Sequence, residues 1–295
     1  MALRSSLINV MEKAARKAAR GLLHDFGEVE QLQVSRKGPA DFVSAADIKA
    51  EKTLRYELEK ARPDFGFILE ESGEVASKDG EHRWLIDPLD GTTNFLHGIP
   101  HFCINIAVEK FQKRPSGKLR REIIAGITFD PIRDELFWAE KGQGAYLNER
   151  RLRVSGRTKL AESVISTGIP VQGRSDHQAF LARLASIMDK VAAVHRMGSA
   201  ALDLAYVAAG RYEGFWEEGL NAWDIAPGLL LVREAGGYVS QFDGSETMLD
   251  TGEIIAANDK LHVELRRVLR EAAQQKTSAG GSSGTAKSTA VKSLA

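Results

Sequence analysis

One short segment, from Trp84 to Phe95, constrains this chain more than any other. Its first three residues are apolar and predict a buried strand, and two carboxylates, Asp87 and Asp90, follow directly. Pro88 fixes the backbone between them, so both acids can point toward one place. The fold must therefore present the end of a buried strand to an open site.

The two acids of this segment indicate a site for a hard cation. Carboxylates that lie close together repel one another unless a cation lies between them. The candidate ligands are all oxygens, because Cys103 is the chain's one cysteine and the histidines have no zinc-motif spacing. Magnesium, or else manganese, is the cation that such a ligand set prefers.

Gly91-Thr92-Thr93, directly after the acids, predict the start of a helix. Exposed N–H groups at a helix start bind phosphate, and a glycine there lets a ligand approach closely. A cation site beside an anion site suits phosphoryl transfer. The alternative is a plain turn, since Asp, Pro and Gly are common turn formers. The apolar strand before the acids and the paired threonines after them favour the site.

The hydrophobic pattern predicts an α/β chain with two differently built halves. Residues 1–155 contain two helices and then a run of short strands joined by turns, which predicts an α+β half with an antiparallel sheet. In residues 156–275 strands alternate with helices, which is typical of an α/β half. Residues 276–295 are rich in Ser, Gly, Ala, Thr and Lys and are expected to form a disordered tail.

Composition excludes several classes of protein. Lys plus Arg and Asp plus Glu number 40 each, so no broad basic surface for nucleic acid is expected. One cysteine excludes an intramolecular disulfide. No apolar run approaches the roughly 20 residues that cross a bilayer. Residues 1–20 have the composition of a weak transit peptide, but their helical apolar face favours an ordinary first helix and a cytoplasmic enzyme.

Four blocks of the sequence resemble the inositol monophosphatase family, in the family's order. Trp84–Phe95 resembles the family's first signature, and Trp223–Gly228 resembles its second. Asp41–Asp47 resembles its N-terminal block, and Glu70-Glu71-Ser72 resembles its acidic block. The likeness covers about residues 1–270. It implies a layered αβαβα sandwich of the sugar phosphatase type, with a metal site between the two halves.

The resemblance implies a role for each matching residue. The implied metal ligands are four carboxylates and one backbone carbonyl: Glu70, Asp87, Leu89, Asp90 and Asp224. The attacking water is implied to be positioned or activated by Glu70, Asp47 and Thr92. The phosphate is implied to be bound by Gly91 and Thr92. The substrate's hydroxyl groups are implied to contact Glu217 and the loop of Gly198, Ser199 and Ala200.

Two of these acids have a structural alternative. Asp47 also fits the third helical position of a capping box that begins at Ser44. Asp224 also fits the N-cap of a helix predicted to run to Ala235, which places Pro227 in the first turn, where proline is tolerated.

The resemblance implies a Mg2+-dependent, lithium-sensitive, homodimeric phosphatase that hydrolyses inositol monophosphate or a similar small polyol phosphate. More than one Mg2+ (two or three) is implied, with water as the direct attacking group. A related hypothesis keeps this chemistry but changes the substrate to fructose 1,6-bisphosphate, adenosine 3′,5′-bisphosphate or histidinol phosphate. The absence of a long insertion near the motifs favours a small monophosphate. A hypothesis of another class is a regulatory protein that binds the transcription machinery.

Overall fold

Helices and strands follow one another along the described part of the chain, which in this computed structural model comprises residues 4–28, 34–38, 41–113, 119–170 and 176–279. The helices are α1 (Ser6–Phe26), α2 (Ala45–Ala61), α3 (Thr92–Leu96), α4 (His177–Met188), α5 (Ala200–Ala208), α6 (Ala222–Glu234), α7 (Met248–Thr251) and α8 (Asp259–Ala279). The strands of the first half are β1 (Val34–Gly38), β2 (Asp41–Ser44), β3 (Gly66–Leu69), β4 (Gly73–Val75), β5 (His82–Asp90), β6 (Cys103–Lys113), β7 (Leu119–Asp130), β8 (Glu135–Glu140), β9 (Gly144–Leu147) and β10 (Arg150–Arg151). Those of the second half are β11 (Val164–Thr167), β12 (Ala193–His195), β13 (Gly214–Glu217), β14 (Tyr238–Ser240) and β15 (Ile254–Ala257).

The first large sheet has eight strands in the order β10-β9-β8-β7-β6-β5-β3-β4. The predicted antiparallel meander is confirmed from β5 through β10. The prediction is wrong for β3 and β5, which run parallel with Leu69 opposite Ile86. The short strand β4 turns back on the far side of β3, and the chain then returns to form β5 in the direction of β3. The carboxyl ends of β3 and β5 consequently lie at one edge.

The second sheet has five strands in the order β12-β11-β13-β15-β14. Its first three strands are parallel, and β15 joins β13 and β14 in antiparallel pairs. Helices separate these strands along the chain, as the sequence pattern predicts for this half. The boundary near residue 155 stays a prediction.

Five layers are stacked in the molecule, which confirms the αβαβα fold. Helices α1 and α2 cover one face of the eight-stranded sheet, and α5 and α6 lie between the two sheets. Helices α4 and α8 cover the outer face of the five-stranded sheet. Three apolar clusters fill the four interfaces between layers, and one of them covers both faces of the α5–α6 layer. Among the described residues, no helix is long and apolar enough to span a bilayer.

The ends of two helices differ from the sequence prediction. Helix α6 begins at Ala222 with Asn221 as its N-cap, so Asp224 occupies the third helical position and is not the cap. Pro227 therefore lies inside the helix, beyond the predicted first turn. Helix α8 continues to Ala279, so residues 276–279 of the predicted disordered tail are helical. The rest of the predicted tail, residues 280–295, lies outside the described residues.

His262 on α8 is a buried histidine whose charge is linked to stability. The residue is 7% exposed, and its Nε2 lies 3.0 Å from the Ser240 hydroxyl of β14. That hydroxyl donates to the Gln241 carbonyl at 2.7 Å, so Nε2–H must be the donor to Ser240. Burial, with a smaller effect of Arg266, lowers the pKa of His262 from 6.5 to about 4.

We predict that this histidine makes the protein less stable in mild acid. Between its folded and unfolded pKa values the unfolded state binds more protons, so the free energy of unfolding falls as the pH falls from about 7 to about 4. His262→Gln has no group that titrates here, so its free energy of unfolding should fall by about 1–2 kcal/mol less than that of the wild type over this range. The difference is smaller than the full pKa shift implies because solvent screens part of it. Denaturant titrations at both ends of the range measure it. Equal losses in the two proteins would contradict the prediction.

Candidate active site

A cavity of about 180 Å3 opens where the edges of the two sheets and the start of α6 meet. It is lined by Glu70, Asp87, Leu89, Asp90, Gly91, Thr92, Ile169, Pro170, Glu217, Glu218, Gly219, Leu220, Asn221 and Asp224. All five sequence-predicted metal ligands, both predicted phosphate contacts and the predicted substrate acid are among these residues. The structure therefore brings together residues that are up to 154 positions apart, from Glu70 to Asp224.

Glu70 and Asp87 are adjacent because β3 and β5 are parallel. Leu69 pairs with Ile86, and the Glu70 amide donates to the Ile86 carbonyl at 3.3 Å, so the residues that follow lie side by side. Asp87 is 2% exposed, and its Oδ1 accepts a bond of 2.9 Å from the Leu89 amide. Burial, and then the charges of Glu70, Asp90 and Asp224, raise the pKa of Asp87 well above its usual range.

Asp90 is held from the opposite half of the molecule. Its Oδ2 accepts from the Ser199 hydroxyl at 2.5 Å and from the Ala201 amide at 2.8 Å, at the start of α5. Burial raises the pKa of Asp90, and these two donors offset part of that effect. Cys103 lies 3.9 Å from the same oxygen, and burial raises the pKa of its thiol well above the usual value. Cys103 is thus a packed thiol behind Asp90.

Asp224 reaches the cavity from the first turn of α6. Its Oδ2 accepts from the Asn221 amide at 2.7 Å, which forms one arm of a capping box with Asn221. Burial and the charges of Asp90, Glu70 and Glu217 raise the pKa of Asp224 well above its usual range. The structural alternative from the sequence is therefore wrong: Asn221 is the N-cap, and Asp224, at the third helical position, accepts from the N-cap amide while it also faces the other acids.

The chemistry of this cluster fits a hard cation. Several buried carboxylates raise one another's pKa values, which is the condition that a bound divalent cation relieves. The donors are carboxylates and a carbonyl, as Mg2+ prefers. Within the described ranges, no three His, Cys, Asp or Glu side chains are arranged to hold a metal as they stand. The ligand set stays a prediction.

Thr92 and Asp47 form the predicted pair beside the acids. The Thr92 hydroxyl lies 3.3 Å from Asp47 Oδ1 and 3.0 Å from the Leu89 carbonyl, so its single proton is shared between two acceptors. Asp47 is 1% exposed and occupies the first turn of α2. Gly91 has φ of 96°, a left-handed conformation that favours glycine, and it caps the five-residue helix α3. The Gly91 amide donates to the Asp90 carboxylate.

Glu217 forms the far wall of the cavity at the end of β13. Burial, followed by the charge of Asp90, raises its pKa to about 8, and a bond from the Gly168 amide lowers it in part. A Cβ at residue 168 would lie 1.8 Å from Glu217 Oε1. Gly168 therefore makes room for this carboxylate, a role that the sequence analysis missed.

The predicted substrate loop lies behind the cavity wall. Gly198, Ser199 and Ala200 do not line the cavity among the described residues, and Ser199 is 1% exposed with its hydroxyl on Asp90. Asn94 holds this loop against the first signature by donating to the carbonyls of His101 and Met197, both at 2.8 Å. The loop therefore supports Asp90 here, and its contact with substrate stays a prediction.

Two further acids near the site were missed by the sequence analysis. Asp203 on α5 is 1% exposed, and its Oδ1 has no hydrogen-bond partner among the described residues. Burial, and then the charges of Glu217 and Asp90, raise the pKa of Asp203 well above its usual range. Glu51 on α2 accepts from the Glu71 amide at 2.8 Å and from the Ser72 hydroxyl, which fixes the turn after Glu70. A lone acid within the apolar helix Ala200–Ala208 was the signal that could have found Asp203.

Comparison with known proteins decides the family. The model of the inositol monophosphatase family matches residues 3–276. The chain belongs to the inositol monophosphatase family. An inositol-1-monophosphatase of Mesorhizobium japonicum is 54% identical over 91% of this chain and 97% of that protein. The Nus factor SuhB of Pseudomonas aeruginosa is 42% identical over 86% of this chain and 92% of that protein.

Solved structures give the same result for the fold. The extragenic suppressor protein suhB of Bartonella henselae superposes with a TM-score of 0.84 and 52% identity, covering 90% of this chain and 99% of that one. As a member of the family, the chain is a phosphoric monoester hydrolase that depends on magnesium and acts on small phosphorylated substrates.

We predict that Gly168→Ala impairs this phosphatase through Glu217. The added Cβ must displace the carboxylate, so kcat/KM should fall by about tenfold to a hundredfold. Gly156→Ala is the matched control, because a Cβ there meets no atom within 4 Å. Steady-state kinetics of Gly168→Ala, Glu217→Gln and the double variant measure the coupling. If the loss of transition-state free energy in the double variant equals the sum of the losses in the two single variants, Gly168 does not act through Glu217.

Proposed function

We propose that this phosphatase hydrolyses inositol monophosphate or a similar small polyol monophosphate. The observation that supports this best is the single small cavity in which the acid cluster, Gly91-Thr92 and Glu217 all meet. In this proposal the acids bind a cation, Gly91 and Thr92 bind the phosphate, and Glu217 forms hydrogen bonds with the hydroxyl groups of the alcohol. No basic side chain lines this cavity among the described residues, which favours one phosphate over two.

Glu70, Asp87, Asp90, Asp224 and the Leu89 carbonyl would hold Mg2+, in two or three ions, with Mn2+ able to replace it. When bound, Mg2+ neutralises the phosphate and makes a water molecule more acidic. Lithium sensitivity belongs to the same proposal and is supported by the family resemblance. The cytoplasmic location also belongs to it and is supported by the apolar face of α1, which favours an ordinary first helix over a transit peptide.

The side chains of this chain would orient the water and the alcohol. Thr92 and Asp47 lie within hydrogen-bond distance of each other, so the threonine hydroxyl can pass its proton to Asp47 and accept one from the water. Glu70, beside Asp87, is the second acceptor for a proton of the water. No covalent enzyme intermediate is needed, since the water attacks phosphorus in line.

Glu217 would select the alcohol by hydrogen bonds. Its carboxyl group, whose pKa is raised by burial, can accept from substrate hydroxyls and, when protonated, also donate to them. A neutral polyol satisfies such a group, whereas a second phosphate would meet an acid here. This supports a polyol monophosphate over a bisphosphate substrate.

We predict Mg2+-dependent phosphate release that is fastest with inositol 1-phosphate in a panel with fructose 1,6-bisphosphate, adenosine 3′,5′-bisphosphate and histidinol phosphate. Asp90→Asn should reduce the activity by more than roughly 10- to 100-fold, which is the loss expected when a residue that only supports a metal ligand is mutated. Asp189→Asn, an exposed position at the end of α4, is the matched control. Full activity in Asp90→Asn would contradict the ligand assignment, and preference for another substrate would replace the proposed one.

We further predict a homodimer, with a solution mass twice the 32.3 kDa of the chain. Ile169 and Met188, which line one surface cavity, are 55% and 60% exposed, and a contiguous exposed apolar patch marks an interaction surface. Sedimentation equilibrium measures the mass, and a monomer across micromolar concentrations would contradict the prediction.

A second candidate function is binding to the transcription machinery, which is favoured by the relatives named Nus factor SuhB. It is compatible with catalysis, since the acid cluster is complete. Co-purification with RNA polymerase components tests it, and a pull-down free of them would count against it.

A further inference from the structure

The helix that carries Asp224 lacks one of its own hydrogen bonds. In an α-helix each carbonyl accepts from the N–H four residues later. The carbonyl of Trp223 would therefore accept from residue 227, which is a proline inside α6 and has no N–H. A buried carbonyl without a donor destabilises the fold, so another group must supply one.

Asn105 of β6 supplies that donor from the other half of the molecule. Its Nδ2 donates to the Trp223 carbonyl at 2.7 Å and to the Asp224 carbonyl at 2.9 Å. These carbonyls belong to the two peptide groups that flank the Asp224 Cα, so one side chain fixes both. Carbonyl oxygens only accept, and the amide nitrogen of Asn105 must therefore be the atom that faces them.

The neighbouring strand β7 completes the arrangement. Thr128 pairs with Asn105 across the strands, and its hydroxyl donates to Asn105 Oδ1 at 2.7 Å. Both side chains are 0% exposed, so no water competes for these bonds. Gly126 of β7 leaves room for the proline, because a Cβ there would lie 2.8 Å from the Pro227 Cα.

We propose that Asn105 is a positioning residue that replaces the N–H missing at Pro227 and so fixes the Asp224 carboxylate toward the acid cluster. The inference rests on the proposed function, in which Asp224 is a metal ligand. The Asn105 side chain bonds to the α6 backbone, its own backbone pairs with Asp87 on the neighbouring strand, and Thr128 acts through Asn105.

The test is a double-mutant cycle of Asn105→Ala and Pro227→Ala. Asn105→Ala should raise the Mg2+ concentration for half-maximal phosphatase activity about tenfold, the scale seen when partners outside a ligand shell are removed. Pro227→Ala gives Trp223 a helical donor again, so the double variant should return to within about threefold of Pro227→Ala alone. Thr128→Val, which keeps the shape but loses the hydroxyl, should give a smaller rise and covers the case in which Asn105→Ala does not fold.

Asn258→Ala is the matched control. Asn258 is also a buried asparagine whose Nδ2 holds two carbonyls, Ser155 at 2.9 Å and Arg157 at 2.6 Å, at the start of α8. This variant should lower the denaturant midpoint and leave the Mg2+ dependence unchanged, which separates positioning from general loss of stability.

The outcomes are distinct for the inference and for the function. With an active wild type, an unchanged Mg2+ dependence in Asn105→Ala and Thr128→Val, or no rescue by Pro227→Ala, would overturn the positioning role while the function stands. A wild type without Mg2+-dependent turnover would overturn the function. Non-additive denaturant midpoints in the cycle would then still support the exchange of donors at Trp223, and additive midpoints would overturn it.

Discussion

The repulsion between buried carboxylates at the end of β5 is the constraint on which the rest of the structure depends. Burial raises the pKa of Asp87, Asp90 and Asp224, and neighbouring acids raise the pKa of Asp87 and Asp224 further, so the folded chain holds a cluster that opposes its own formation. A cation that binds the folded state alone lowers its free energy and turns this repulsion into attraction. The acids therefore destabilise the folded chain when no cation is bound, and they stabilise it through the cation when one is bound.

The fold offsets this repulsion with donors from several layers. Asp87 is held by the turn that follows it, Asp90 by the start of α5, and Asp224 by its own capping box. Each donor takes one carboxylate oxygen. These hydrogen bonds fix the direction of each carboxylate before a cation binds, as precise metal sites require.

The sequence pointed to Asp87 and Asp90 directly because both acids lie in one segment with Pro88 at the end of an apolar strand. Glu70 and Asp224 lie far away in the chain and were predicted from the family resemblance. The sequence was not sufficient for the groups that hold the acids. The parallel pairing of β3 with β5 depends on the path of β4 around the sheet edge, which no periodicity reveals.

Gly168 and Asn105 were missed for a related reason. A glycine after a strand and a polar residue inside one are common, and their meaning depends on Glu217 and Trp223, which are 49 and 118 residues away. The start of α6 was misplaced because Asp224 is itself a good capping residue, and the true cap, Asn221, lies three residues before it. Local propensity predicted a capped helix correctly there but placed its start too late in the chain.

Helix α6 shows why the site needs the two halves to be packed as one body. The helix is buried from Ile225 to Val232, and it contacts strands of both sheets. A Cβ on Gly228 would lie 2.5 Å from the Leu204 side chain, so α5 and α6 approach too closely for either to shift alone. The backbone of α6 that carries Asp224 can move only if the packed interfaces around it rearrange, and close-packed interiors resist such changes. The proline inside α6 is compatible with this rigidity because the missing bond is made to the neighbouring sheet, which ties the helix to the strand that lies beside Asp87 and Asp90.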